Sequence, residues 1–275
     1  MIFAFPEIKI RGPVAPVAAP VNPPLDAPGT ETSPLHQRIE VFVLTHESKP
    51  SVTVKTLQAL GIPVQLYVNP DWSWPEDHPE LQTDRSPRPA VRDYALRQYR
   101  AFKGHQAILA QANPDKFTLV FEDDMSVRAG VSPAEFLWHI NYASLFLTED
   151  PNKYEAVSFH GRSQSPPQRT TRWLGREYVE LAPVEQTGWG HLFFLAPVIV
   201  GYQGKYAAKK FRWHEGCLGY LLGAAGRQKW LNAGHGGGMP CDLFLANELN
   251  TIVMRESILH HDQQHGSLIS NTVQP

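Results

Sequence analysis

Two cysteines, Cys217 and Cys241, are the only thiols in 275 residues. Their spacing makes neither a zinc-type pair nor a disulfide framework, so they read as free thiols in a reducing compartment. An excess of charge of one sign is also missing. Lys and Arg total 25 against 27 Asp and Glu, a formal net charge of −2. That balance excludes the global basic field of a nucleic-acid or membrane-surface protein, while leaving room for a local basic groove. Long apolar runs are absent, and none approaches the roughly 18 residues that span a bilayer. The opening Met1-Ile2-Phe3-Ala4-Phe5-Pro6 lacks the basic start and extended apolar core of a secretion signal, which makes the cytoplasm the expected location.

Proline, by contrast, is plentiful near the start. Pro13, Pro16, Pro20, Pro23, Pro24, Pro28 and Pro34 deny residues 11–34 both helix and central strand. We read residues 1–38 as an extended arm or linker and 39–275 as one domain, large enough for a sizeable core. Ile39–Leu44 reads as a buried strand, 51–60 as a helix with Val52, Leu57 and Leu60 inward and Gly61 as its stop, and Ile62–Val68 as a second strand. That order predicts a parallel βαβ unit. A long helix is predicted over 91–112, where Val91, Ala95, Tyr99, Phe102 and Leu109 recur at helical spacing. A strand follows from Phe117, then a helix near 133–147, a strand at Ala156–Phe159, an Arg-dense segment at 160–176 and an apolar stretch at Gly190–Val200.

The strand from Phe117 to Phe121 ends in Glu122-Asp123-Asp124. Three adjacent carboxylates repel one another, and ionised carboxylates near a core are costly unless paired or metal-bound. A hard divalent cation such as Mg²⁺ or Mn²⁺ removes that conflict, typically by bridging protein carboxylates to substrate phosphates. The carboxyl end of a strand in an α/β sheet is also where ligands gather.

These pieces, taken in order, resemble the nucleotide-sugar-binding GT-A fold of glycosyltransferases, especially glycosyltransferase family 25, known from lipopolysaccharide synthesis. Val41–Leu44 with Thr45 resembles the strand that meets the nucleotide base. The helix with Gly104-His105, followed by Leu119–Asp124, resembles the family's "EDD" element. Gly190–Leu195 with Tyr206–Phe211, then Met239-Pro240-Cys241-Asp242 and Ser267-Leu268-Ile269-Ser270, resemble later elements of the family. The proline-rich arm, the Gly234–Gly238 loop and the histidine-rich tail depart from it. The resemblance implies an α/β fold with a mostly parallel central sheet flanked by helices. It assigns residues 39–130 to the nucleotide and 131–275 to the acceptor.

It also implies a metal-dependent transfer of sugar from a UDP-type donor, with Mn²⁺ or Mg²⁺, to a hydroxyl acceptor. Asp124 would bind the metal, with Glu122 beside it and Asp123 toward the ribose or a metal-bound water. A histidine from the C-terminal tail would complete the site. His260, His261 and His265 compete for that role, and we assign His261 and His265. Thr45, Asn69, Arg88 and Lys103 are placed at the nucleotide, Arg88 and Lys103 for their affinity for phosphate. Asp242 is either the base that takes the acceptor's proton or a helix N-cap, with Glu248 and Glu215 behind it. Trp189, between Gly188 and Gly190, is the tryptophan best suited to stack on a sugar or base. The acceptor is a glycan, a protein hydroxyl, or a modified DNA base such as a 5-hydroxymethylpyrimidine in a phage, for which Arg162, Arg169, Arg172 and Arg176 leave room. Two other classes stay open: a metal-dependent phosphoester hydrolase, and a non-catalytic binding or assembly module.

Overall fold

A computed structural model of the chain describes residues 35–46, 51–72, 89–151, 153–160, 162, 163, 167–185, 210–212, 214–233 and 241–261. A single turn, α1 (Leu35–Arg38), leads into β1 (Ile39–Thr45). Helix α2 (Val52–Ala59) starts where Ser51 Oγ accepts the Val54 N–H at 3.3 Å, and stops at Gly61, whose φ of +70° suits a residue without Cβ. Leu57 is fully buried as expected, but Thr53 and Val54 are the inward positions of the first turn, whereas Val52 and Leu60 are only half-buried. Strand β2 (Gln65–Val68) is shorter than predicted. Ile62 folds back, donating its N–H to the Leu57 carbonyl at 3.0 Å, and so belongs to the helix end.

Helix α3 (Pro89–Gln111) begins at proline, whose missing N–H costs nothing in a first turn. Then come β3 (Phe117–Glu122), β4 (Met125–Val127) and α4 (Pro133–Glu149), the last capped by Ser132 Oγ on the Glu135 N–H at 3.1 Å. Strand β5 (Ala156–Ser158) is followed by β6 (Arg162–Ser163), and β7 (Pro167–Trp173) forms a hairpin with β8 (Arg176–Leu181). The hairpin turns through Leu174 and Gly175, both at positive φ, as a tight turn matched to strand twist requires. Arg162, Arg169, Arg172 and Arg176 of the Arg-dense stretch thus lie on strands. The remaining elements are β9 (Val184–Glu185), β10 (Lys210–Phe211), β11 (His214–Glu215), β12 (Gly219–Leu222), α5 (Ala224–Asn232), α6 (Cys241–Asn247), β13 (Thr251–Met254) and β14 (Leu259–His261).

Eight strands form one sheet in the order β2-β1-β3-β12-β5-β13-β8-β7. The βαβ unit is parallel as expected, and β3 joins β1 in parallel on its other side. The sheet as a whole is mixed, because β12 lies antiparallel between β3 and β5, and β8 is antiparallel to both its neighbours. Strands buried on both faces read as continuous apolar runs, and β1 and β3 do. Val41, Val43, Leu119 and Phe121 pack with α2 and α4 on one face. Phe42, Leu44 and Val120 pack with Phe102, Leu109, Trp230 and Phe244 of α3, α5 and α6 on the other. The result is helices on both faces of an α/β sheet. No helix among the described residues is long and apolar enough to cross a membrane. The arm at 1–34, the stretch at 190–200 and the tail beyond 261 lie outside the described residues.

Candidate functional site

Strand β1 is flanked by β2, the next strand in the chain, on one side and by β3 on the other, so the chain changes direction across the sheet between the carboxyl ends of β1 and β3. Open α/β sheets bind ligands at such a crevice. Leu44 pairs with Glu122, which puts Thr45 and His46 level with the acidic triplet. Thr53, in the first turn of α2, fixes this corner. Its hydroxyl accepts the Met125 N–H at 2.9 Å and lies 2.7 Å from the Glu122 carbonyl and 2.9 Å from that of Met125. Nothing local in the sequence marks Thr53. Its role follows from the distance between the β1–α2 turn and the β3–β4 turn, which only the fold sets.

The triplet does not sit as three equal ligands. Asp124 is 8% exposed, and its Oδ2 meets His261 Nε2 at 2.7 Å. The histidine arrives because β14 pairs antiparallel with β4, setting His261 opposite Met125. Asp124 Oδ1 is buried without a hydrogen-bond partner. Glu122 turns the other way, its Oε1 3.7 Å from Nε2 of the fully buried His105, whose Nδ1 is 2.7 Å from the Tyr220 hydroxyl. Burial pushes the Glu122 carboxyl above its ordinary range. His105 opposes that shift, while the neighbouring charges of Asp124 and Asp242 add to it. Asp123 acts toward β1, where its charge is felt by His46; partial desolvation nonetheless keeps His46 below the usual imidazole value. Of the tail histidines, His261 is at Asp124, and His260 alternates to the other side of β14 opposite Ser126. His265 lies outside the described residues.

The residues assigned to the nucleotide form a braced loop. Thr45 is buried, and its carbonyl accepts the Asn69 N–H at 2.7 Å. Asn69 donates from Nδ2 to the Arg100 carbonyl at 3.0 Å and accepts the Trp72 indole N–H at 2.8 Å. Its amide rests on Gly104, where a Cβ would come within 2.8 Å of it. Both residues thus hold backbone, a job that leaves the exposed part of the loop to others. Lys103 Nζ donates to Gln106 Oε1 at 2.6 Å and lies 5.7 Å from the Trp72 ring, and its pKa is lowered by burial. Arg100 pairs with Asp71 at 3.1 Å. Arg88 and Trp189 lie outside the described residues.

Asp242 is in the first turn of α6, one residue past its start, with its carboxylate on backbone donors. Oδ2 accepts the Gly216 N–H at 3.0 Å and Oδ1 the Leu243 N–H at 2.8 Å. Burial raises its pKa to about 6 in spite of those hydrogen bonds. A carboxylate at a helix N-terminus is favoured by the dipole, and this one also ties the loop before β12 to α6. Asp242 is close enough for its charge to be felt by Glu122. Among the described residues no group of three or more His, Cys, Asp or Glu side chains converges as a ready metal cage. What the structure brings together is the Asp124–His261 pair, the Glu122 and Asp242 carboxylates near it, and the braced loop that carries Asn69 and Trp72. No protein-family model matches the chain, and no curated protein matches it.

Proposed function

We propose that the chain is a metal-dependent glycosyltransferase of GT-A type that moves a sugar from a nucleotide-sugar donor, UDP-linked by resemblance, to a hydroxyl acceptor. The observation that carries this reading is Asp124. A buried carboxylate oxygen with no partner is costly, and here it sits beside an imidazole at the carboxyl end of β3, in the crevice between β1 and β3. The residues fit a hard divalent cation. Asp124 and His261 would hold it, with Glu122 nearby, and the small number of protein ligands suits Mn²⁺ or Mg²⁺, which keep places for water and substrate phosphate.

When bound, the cation would neutralise charge developing on the leaving diphosphate. The chain's own residues do the rest. His261 accepts or donates at Asp124 Oδ2 and orients that carboxylate. Thr53 holds the turn that aims it. Lys103 and Arg100 put positive charge beside the crevice. Asp242, poised with a pKa of about 6, is able to hold an acceptor's proton near neutral pH. A glycan, a protein or a modified DNA base would each supply the hydroxyl.

A thermal-shift panel of nucleotide sugars with and without Mn²⁺ tests the reading. The expected result is stabilisation by one nucleotide class that requires the metal, followed by sugar transfer without release of free phosphate. Phosphate release from simple esters would instead identify a hydrolase on the same residues, and no response to any nucleotide with metal would sink both.

A further inference from the structure

Helix α4 lacks the charged outer side that a helix on the surface of a sheet ordinarily carries. From Phe136 to Thr148 its sequence holds no Asp, Glu, Lys or Arg. Phe136, Ile140, Ala143 and Leu147 form its inward side and are buried in the core on that face of the sheet. On the outward side Leu137, Trp138 and Leu145 recur at helical spacing, and Leu145 is 38% exposed. Trp138 and Tyr142, one turn apart and both half-buried, stack at 4.8 Å and 7°. Tyr142 and Phe146 meet the ring of Trp173 at 4.9 and 4.7 Å, and Leu174 next to it is 45% exposed. An uncharged strip with aromatic rings along it therefore faces outward.

The chain enters the fold beside this strip. Leu35 packs half-buried against the same core, and Arg38 Nη2 donates to Asn141 Oδ1 at 3.2 Å. Asn141 lies between Trp138 and Leu145 on the outward side of α4, so the 34 residues ahead of Leu35 are tethered at the middle of the helix. Their composition matches the strip. Residues 12–25 carry no charge, and Pro13 with Pro16, then Pro20 with Pro23, stand three apart among Val14, Val17 and Val21. Three residues is the period of polyproline II, a pre-set helix that docks in grooves lined by aromatic rings. At 17 residues α4 is about 25 Å long, and roughly eight residues of polyproline II at about 3.1 Å each would cover it. Residues 13–23 suffice for that, and 24–34 remain to reach back to Leu35.

We propose that the proline-rich arm docks as polyproline II along the outward side of α4 in the same molecule, Pro13–Pro23 lying against Trp138, Tyr142 and Leu145. The tether at Leu35 makes the contact intramolecular and so raises the arm's effective concentration at the strip. Both surfaces are uncharged, and their contact therefore strips water from no ion. Proline gives the arm its second advantage, because a chain already fixed in φ loses little freedom when it docks. The arm covers the strip from outside and leaves the packing beneath it unchanged. The proposal is independent of the reaction at Asp124.

The test places a photo-reactive benzophenone side chain at Leu145 of the full chain, irradiates the protein at low concentration and maps tryptic peptides. The expected product links peptide 129–153 to peptide 12–38 in material of monomer mass. The same group at Ala225, exposed on α5 across the sheet, should link to peptide 12–38 several-fold less. Pro13→Gly, Pro16→Gly, Pro20→Gly and Pro23→Gly together free the arm's backbone without shortening it, and should lower the Leu145 link several-fold. Absence of the link overturns the proposal, as does a link from Leu145 to peptide 177–205 in its place. A product of dimer mass replacing the monomer link would assign the strip to a second copy and also overturn it. Equal yields from Leu145 and Ala225, or from arms with and without the four prolines, would reduce the contact to random collision.

Discussion

At the scale of single residues, Asp124 and Asp242 are carboxylates with different partners, one an imidazole and the other two backbone N–H groups. Removing the Asp124 carboxylate relieves repulsion within the triplet and loses the His261 hydrogen bond, two effects of about 1 kcal/mol each that nearly cancel. Asp124→Ala should therefore melt within a few degrees of wild type in chelator. It should lose the Mn²⁺-dependent shift and about 10³-fold or more of transfer. A variant that keeps most of its turnover would end the metal assignment. For Asp242 the sign comes from its raised pKa. The free carboxyl titrates near 3.8 and the folded one at about 6, so between those values the folded state holds the extra proton. Its stabilising contribution is complete below the lower value and is lost as pH rises through the upper one. Thermal melts from pH 4 to 7 should fall less steeply for Asp242→Asn than for wild type; parallel curves would show that the group is not perturbed. The same variant decides between helix terminus and base. A turnover drop of roughly 10²-fold with donor binding intact marks the base, and a change within a few-fold leaves a helix-start carboxylate whose work is to hold Gly216. Residue identity made the acidic triplet and Asp242 visible in the sequence. It said nothing about which carboxylate oxygens would be engaged, because Gly216 and His261 reach them only through the fold.

At the scale of elements, the apolar runs of β1 and β3 and the helical spacing of α2, α3 and α4 were legible, and their predicted ranges hold to within a few residues. Length alone did not decide the rest, since β2 and β5, with four and three residues, were predicted, whereas β12 and β13 with four and β14 with three were not. They escaped the sequence reading, and with them went the mixed character of the sheet. His261 was one of three tail histidines until β14's register against β4 singled it out. Packing between elements offers a separate test at Gly104 of α3. Glycine to alanine in a helix ordinarily stabilises by roughly 0.5–1 kcal/mol. Here the new methyl would meet Asn69 at 2.8 Å, inside van der Waals contact. Overpacking of that kind costs about 1–3 kcal/mol, so Gly104→Ala should lower the denaturation midpoint and weaken nucleotide binding through the displaced 69–72 loop. A stabilised variant would mean that Asn69 does not rest on α3.

At the scale of the whole molecule, two core clusters among the described residues, one on each face of the sheet, draw on elements from β1 to β14. The proline-dense sequence of residues 1–34 carries no periodicity of a buried element, so deleting it should leave a cooperative unfolding transition with a midpoint close to that of the full chain. Loss of the transition would show that the arm is part of the folded unit. The site, by contrast, depends on the entire sequence of the domain. Asp124 and His261 are 137 positions apart, and the strand that delivers the histidine is the last one described. A ribosome making this protein finishes β3 and its carboxylates long before their partner exists. Every nascent chain therefore spends much of its synthesis with a half-built centre, and any product cut short before Leu259 would keep the acidic corner and lack the imidazole. Under the proposed assignment, a cation would find both of its protein ligands only in chains whose β14 has already paired with β4.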